Sequence, residues 1–324
     1  MASLKFNNVY ISDFKTLAGP LEKEGKISKC DFEMDDYYYG EKTFEKTEVK
    51  MQKLVINELL KKNGLNKSDI SLLVGGDLLD QTTATNYAAT NLNISHLGIY
   101  SACATFTESL IVSAMFLQND AIDKVITVTS SHNLSAEKQY RYPIEYGSPR
   151  PKTQTFTTTA AVSSLLCKNN GKVRIDCATI GKVIDLGITD AFNLGAVMAP
   201  AAASTIHEHL KDTNRDISYY DLILTGDLGC VGVDILKEYC KIAYNLKLKK
   251  HMDAGCEIYL KSHDVLVGGS GPTCLPLVLF NKVLKNKQYK RILIVGTGAL
   301  HSKTFVNQKS PIPAISHAVS LEVL

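Results

Sequence analysis

Cys103 is the residue of this chain best placed for covalent chemistry. It stands between a short apolar run, His96-Leu-Gly-Ile-Tyr100, and the mostly apolar segment Thr105 to Phe116. That order reads as a buried strand, a sharp turn and a buried helix. A thiol at such a turn faces backbone N–H groups that lack an intrahelical partner. These favour negative charge and lower a cysteine pKa, which would make Cys103 a nucleophile or a pocket residue. The plainer alternative is a small core side chain. Thr105 and Glu108 have the spacing of a capping box, which would start the helix at Thr105 and weaken the pKa argument while leaving Cys103 in the crevice.

The other polar candidates also follow apolar runs. Lys124-Val-Ile-Thr-Val-Thr129 empties into Ser130-Ser131-His132-Asn133, where His132 offers a switchable donor and Asn133 an amide of either role. Asp77 and Asp227 each sit in a Gly-Asp-Leu that closes a strand, as helix caps or as ligand contacts. Val265-Leu-Val267 runs into Gly268-Gly269-Ser270-Gly271 and then an apolar helix, in the place that Cys103 occupies earlier in the chain. Arg141, in a Tyr- and Pro-rich connection over Glu137 to Thr153, is a surface residue or the bidentate partner of a carboxylate ligand. His251, His263, His301 and His317 share no ligand spacing and read as structural.

The elements that must hold these residues are legible in the periodicity. After an irregular N-terminal stretch, Thr43 to Asn63 is an amphipathic helix stopped by Gly64, followed by a strand at Ile70 to Val74 and a helix at Thr82 to Asn91. Phe156 to Leu166 and Lys172 to Ile180 read as adjacent strands around the turn Lys168 to Gly171. The second half then repeats the first. Asp221 to Leu228 matches Ser71 to Leu78 at an offset of 150 residues, and Arg291 to Gly296 matches Lys124 to Thr129 at 167. Two copies of one βα unit argue for a pseudo-twofold α/β protein with its ligand crevice where the strand ends of the halves meet.

Composition sets the outer bounds. The chain has 324 residues, 45% of them hydrophobic, and a net charge of +3 from 36 basic and 33 acidic residues, which gives no field for nucleic acid. The basic run Lys247 to His251 reads as a surface turn. Eight cysteines show no Cys-x-x-Cys pair, so disulfide staples and structural zinc are not expected and a reducing interior is. Met1 to Pro20 lacks a signal-peptide core, and no window is apolar for the length of a membrane span.

Taken together, Leu72 to Leu79, Thr129 to Asn133, Gln139 to Pro143, Val183 to Thr189, Met198 to Ala203, Asp221 to Leu228 and Gly268 to Gly271 resemble the thiolase and β-ketoacyl synthase superfamily, and within it the dipicolinic-acid-binding proteins of sporulation. The resemblance implies a duplicated βα fold with five layers, α-β-α-β-α, and halves at 1–171 and 172–324. Condensing members need two neutral or cationic donors beside the cysteine. Here Asp227 stands in the place of the histidine, and Gly269 falls near that of the asparagine. The resemblance therefore implies a non-catalytic protein that binds dipicolinate for uptake into the developing spore, using Cys103, Ser131, His132, Asn133, Asp77, Asp227, Gly269, Ser270 and Arg141. No cofactor is implied beyond calcium carried as the dipicolinate chelate, which would bind better than the free acid if either aspartate lined the pocket. Implied partners are membrane-spanning sporulation proteins and a second copy of the chain, at an intracellular position peripheral to the spore inner membrane. The alternatives are an acyl-transferring enzyme that uses Cys103 and a structural adaptor with a vestigial pocket.

Overall fold

A computed structural model describes residues 1–141 and 151–324. The strands are β1 (Ala2–Lys5), β2 (Val9–Ala18), β3 (Phe32–Glu33), β4 (Leu72–Gly76), β5 (His96–Gly98), β6 (Lys124–Ser131), β7 (Phe156–Thr157) and β8 (Ala160–Lys168). They continue as β9 (Val173–Ile180), β10 (Leu222–Thr225), β11 (His251–Asp253), β12 (Gly269–Ser270), β13 (Arg291–Ala299) and β14 (Ala314–Val323). The helices are α1 (Phe44–Lys62), α2 (Thr83–Ala89), α3 (Thr105–Leu117), α4 (Asn133–Tyr140), α5 (Leu194–Thr213), α6 (Gly229–Tyr244), α7 (Cys274–Val278) and α8 (Lys303–Asn307).

Ten strands form one path, β11-β10-β13-β14-β9-β2-β8-β6-β4-β5, with β1 on β9 and β3 on β2, while β12 pairs with β7 apart from it. Read outward from the centre, each side runs first, fifth, fourth, second and third strand of its own half. The central strands of each half are parallel to one another and are flanked by antiparallel β8 or β14. The halves meet where Tyr10 and Ile11 of β2 face Arg174 and Val173 of β9.

Helix α3 is apolar nearly all round because it lies between the halves. It packs on β4, β6 and β8 of one and on β9, β13 and β14 of the other. Phe106, Leu110, Ile111, Ala114 and Leu117 join the core cluster that spans both halves. On the outer faces α1 covers β2, β6 and β8, and α5 covers β9, β13 and β14 with α6 beside it. Helix, sheet, central helix, sheet and helix give the five layers expected from the sequence. Helix α1 owes its start to Thr43, whose hydroxyl accepts from the Lys46 amide, and buries Met51, Val55, Ile56, Leu59 and Leu60 along one face.

Several sequence expectations change. The N-terminal stretch is not irregular, since it supplies β1 and β2. Strands β8 and β9 are not adjacent, because β2 lies between them. Val265 to Val267 is not a strand, and the third strand of the second half is β11, which begins at His251, the last residue of the basic run Lys247 to His251 whose three lysines are exposed and outside any strand. The connection placed over Glu137 to Thr153 begins as the last turn of α4, and its positions 142–150, including Tyr142 and Pro143 of the resemblance, lie outside the described residues.

Candidate functional site

Cys103 lies in the short helical turn Ala102–Ala104 that leads into α3. The preceding residue, Ala102, has φ +50, a left-handed conformation unfavourable for a side chain with a Cβ. Such strain persists where surrounding structure over-determines it. Ser101 donates its amide to the Thr105 hydroxyl, which in turn donates to the Ala102 carbonyl. Helix α3 thus begins at Thr105, as the capping-box spacing suggests, but no side chain caps it. Glu108 leaves its Oε2 buried without a hydrogen-bond partner instead. The turn can press against β13 because Gly298 is there: a Cβ at that position would sit 2.3 Å from the Ser101 carbonyl oxygen.

The thiol is not activated by this helix start. Burial pushes the Cys103 thiol well above its ordinary value, and the nearby Asp227 carboxylate pushes in the same direction. The expectation of a lowered cysteine pKa is therefore reversed. Asp227 is wholly buried. Its Oδ1 accepts from the Thr297 hydroxyl at 2.6 Å and its Oδ2 from the Gly271 amide at 2.9 Å. Burial outweighs these bonds and raises the carboxyl to about 7.

The two repeat aspartates do different jobs. Asp77 accepts from the Leu79 amide and from both the amide and the hydroxyl of Thr85, so it ties the end of β4 to α2. Asp227 caps nothing. The start of α6 is held by Asp253, which accepts from the Leu228 and Gly229 amides, both at 3.1 Å. Cys274, which begins α7 in the repeat position of Cys103, is also raised by burial and by Asp227, and its sulfur lies 2.9 Å from the Thr158 hydroxyl.

A cavity of about 50 Å³ opens from Cys103, walled by Leu78, Ala136, Ala191, Leu194 and Ala299, with Tyr100, Tyr140, Arg141, Thr157, Ser270 and His301 as its polar residues. It holds only a few water molecules. Tyr100, Tyr140 and His301 also line a polar vestibule of about 520 Å³, with Asp80, Gln139 and Lys303 on its walls. The three rings are the partition between the two spaces. The Tyr140 hydroxyl donates to the Leu78 carbonyl and lies 3.1 Å from that of Tyr100. The His301 ring meets the Tyr140 ring edge-on, and its Nδ1 is buried without a partner. Burial and the nearby Arg141 charge lower His301 to about 4, so it is a neutral imidazole at neutral pH. Arg141 closes the inner wall, largely buried and ion-paired with Glu137.

Of the residues singled out from sequence, Cys103, Ser270 and Arg141 line this cavity. Asp227 stands behind Cys103. Gly269 abuts Thr158, Cys274 and Tyr259. Ser131 bonds to the Thr158 carbonyl and the Thr273 hydroxyl, and Asn133 donates to the Thr157 carbonyl. His132 faces away, with its Nε2 2.8 Å from the Tyr37 carbonyl oxygen and its ring stacked on Phe44. Burial lowers it to about 4. Asp77 is committed to α2. His301, read as structural, is a wall residue, and Tyr100 and Tyr140 were not singled out at all. The repeat pattern was the one signal that pointed at Cys274.

A family model described as stage V sporulation protein AD matches residues 2–322. Stage V sporulation protein AD of Bacillus subtilis (strain 168) is 41% identical over 318 residues, covering 97% of this chain and 94% of that protein. Among solved structures, cerulenin-bound OleA of Xanthomonas campestris superposes with a TM-score of 0.61 at 14% identity, over 99% of this chain and 100% of that one. The 3-oxoacyl-[acyl-carrier-protein] synthase III of Aquifex aeolicus VF5 does so with a TM-score of 0.55 at 11% identity, over 99% and 100%. At those identities the synthases establish the fold alone.

Proposed function

The chain belongs to the stage V sporulation protein AD family, and from that premise we propose that it is a non-catalytic binding protein for dipicolinate, serving its uptake into the developing spore. The observation that carries the non-catalytic half is the buried Asp227 beside Cys103. An acyl-accepting cysteine must become a thiolate, and burial together with an adjacent carboxylate opposes that ionisation. The cleft offers a dianion the Arg141 guanidinium, the Ser270 hydroxyl and the polar edges of Tyr100, Tyr140 and His301. Glu137 takes only part of the guanidinium's donor set. A pyridine ring with two carboxylates exceeds the inner cavity, so binding requires the Tyr100–Tyr140–His301 partition to move and join cleft to vestibule.

Calorimetry with dipicolinate tests this reading. Heat is expected with and without equimolar calcium at about equal affinity, because neither Asp77 nor Asp227 forms the cavity wall. Arg141→Gln should weaken binding by roughly tenfold to a hundredfold, the effect of a hydrogen bond to a charged group. No heat and no thermal shift at millimolar ligand would favour the adaptor reading. The second expectation is that acetyl-, malonyl- and acetoacetyl-thioesters are not turned over. Steady turnover abolished by Cys103→Ala would overturn the non-catalytic assignment.

Among the described residues no helix is long and apolar enough to cross a membrane. The proposed place at the spore inner membrane therefore depends on membrane-spanning partners. Fractionation of spores that contain those partners should put the protein with the membrane, and recovery entirely in the soluble fraction would count against it.

A further inference from the structure

Away from the cleft, the sulfurs of Cys230 and Cys256 lie 3.2 Å apart. Both cysteines are free, Cys230 exposed and Cys256 partly so. Cys230 is in the first turn of α6, and Cys256 is in the short helical turn Gly255–Glu257 that follows β11. We propose that Cys230 and Cys256 are a redox-modification site that closes to an intramolecular disulfide when a low-molecular-weight disulfide is the oxidant.

The geometry needs little change. A disulfide has its sulfurs about 2.05 Å apart, so closure requires a movement of about 1 Å between two turns. Neither turn is otherwise free to separate, because Cys230 donates its amide to the Val267 carbonyl and Asp253, three residues before Cys256, caps α6. The sulfurs are thus held face to face by backbone bonds on both sides. The other six cysteines include four buried ones, which a reagent in solvent does not reach.

The chemistry takes two exchange steps. The Cys230 thiolate attacks one sulfur of the oxidant RSSR, forming Cys230–S–S–R and releasing RS⁻. The Cys256 thiol passes its proton to that RS⁻, attacks the Cys230 sulfur and expels a second RS⁻, which takes the Cys230 proton from solvent. Two protein thiols are oxidised and RSSR is reduced to two RSH. The order follows from the surroundings: Cys230 is the accessible sulfur, whereas burial and the Asp253 carboxylate hold the Cys256 thiol well above its ordinary value. Cys256 is therefore the resolving partner.

Closure would bear on the cleft. The turn that carries Cys256 donates its Ala254 and Gly255 amides to the Thr225 and Gly226 carbonyls. It packs so tightly that a Cβ on Gly255 would lie 2.4 Å from the Gly269 carbonyl oxygen and 3.3 Å from the Asp227 Cα. The disulfide would staple the wall behind Asp227 to the start of α6.

The test is to incubate the native full chain with oxidised glutathione, block remaining thiols with iodoacetamide under denaturing conditions, and map peptides by mass spectrometry with and without dithiothreitol. The expected result is a reducible cross-link between the Cys230 and Cys256 peptides, with Cys103 and the four buried cysteines alkylated. The melting temperature should rise by roughly 5 °C, as for a cross-link closing a loop of this size. Cys256→Ser should stop at a stable glutathione adduct on Cys230, and Cys230→Ser should give no cross-link. The proposal is overturned if wild type carries a lasting Cys230 adduct or unmodified Cys230 with no Cys230–Cys256 cross-link, or if a different cysteine pair is cross-linked. Because the decisive comparison can be read on wild type alone, a variant that folds poorly does not rescue it.

Discussion

Asp227→Asn is expected to speed alkylation of Cys103 by iodoacetamide at pH 8 by at least about tenfold, the factor that one unit of thiol pKa carries in thiolate fraction. In wild type the thiol has two opponents, burial and the neighbouring Asp227 carboxylate. Asparagine removes the negative charge and leaves the burial. Its carbonyl can still accept from the Gly271 amide, and its amide can donate to the Thr297 hydroxyl, so both anchors of the native side chain survive in altered form. The readout is the modified Cys103 peptide, since exposed Cys230 also reacts. An unchanged rate would mean that burial alone suppresses the thiol and that Asp227 has no electrostatic hold on it. The result bears on the proposed non-catalytic role, because the carboxylate opposes the thiolate that an acyl-accepting cysteine needs. If Asp227→Asn also acquired slow thioester turnover, the charge would be the principal barrier to catalysis.

The parts of the fold that sequence made legible are those with long, regular patterns. Helix α1 has its apolar stripe and its threonine start, and the repeat of Ser71 to Leu78 in Asp221 to Leu228 marks two copies of one unit. Strand β2 was missed because its alternation breaks. Val9 and Ile11 are buried, but a bulge between Ile11 and Asp13 shifts the register, and Asp13 is buried as a charged group held by Lys62 and Asn63. Strand β11 is three residues preceded by lysines, too short for any period, and it exists because Thr225 and its neighbours on β10 offer it a parallel edge. The same limit governs the site. Cys103 is announced by its local turn, whereas Tyr100, Tyr140 and His301 come from three separated segments and meet only in the fold.

Pseudo-symmetry explains why sequence overvalued one aspartate. Gly-Asp-Leu ends a strand in both halves, yet α2 and α6 begin differently. Thr85 presents its amide and hydroxyl to Asp77, while in the second half Asp253 of β11 takes the corresponding role for α6. Relieved of capping, Asp227 can turn towards Cys103. A duplicated motif thus yields one structural carboxylate and one that tunes a thiol. The division depends on a residue outside the motif.

The last expectation concerns stability against pH. Glu48 is buried beneath α4 with its carboxyl accepting from the Ser130 and Ser135 hydroxyls, and burial, with Asp77 nearby, raises it to about 8. Burial likewise raises Glu22 and Asp227 to about 7. A carboxyl whose folded value is raised holds its proton in the native state after the unfolded chain has lost it. Its contribution is full below the unfolded value near 4.5 and is lost as pH rises through 7 to 8. His132, His209, His251, His301 and His317 work from the other side: burial lowers each to about 4, so their contribution is present above the unfolded value of 6.5 and is lost as pH falls towards 4. Above pH 6.5 these histidines are neutral in both states, so the melting temperature should decline from there towards pH 8 as the buried carboxyls ionise. In that range each raised carboxyl costs up to about 1.4 kcal/mol per pH unit. Glu48→Gln keeps a partner for both serines and has no proton to lose, so it should flatten the decline between pH 6.5 and 8 and make stability rise more steeply, or fall less, between pH 4.5 and 6.5, with the two proteins parallel only below about pH 4.5. Thermal scans at half-unit steps decide it. An alkaline decline of the same slope in both proteins would show that Glu48 is ionised in the native state and that its two serine bonds outweigh its burial.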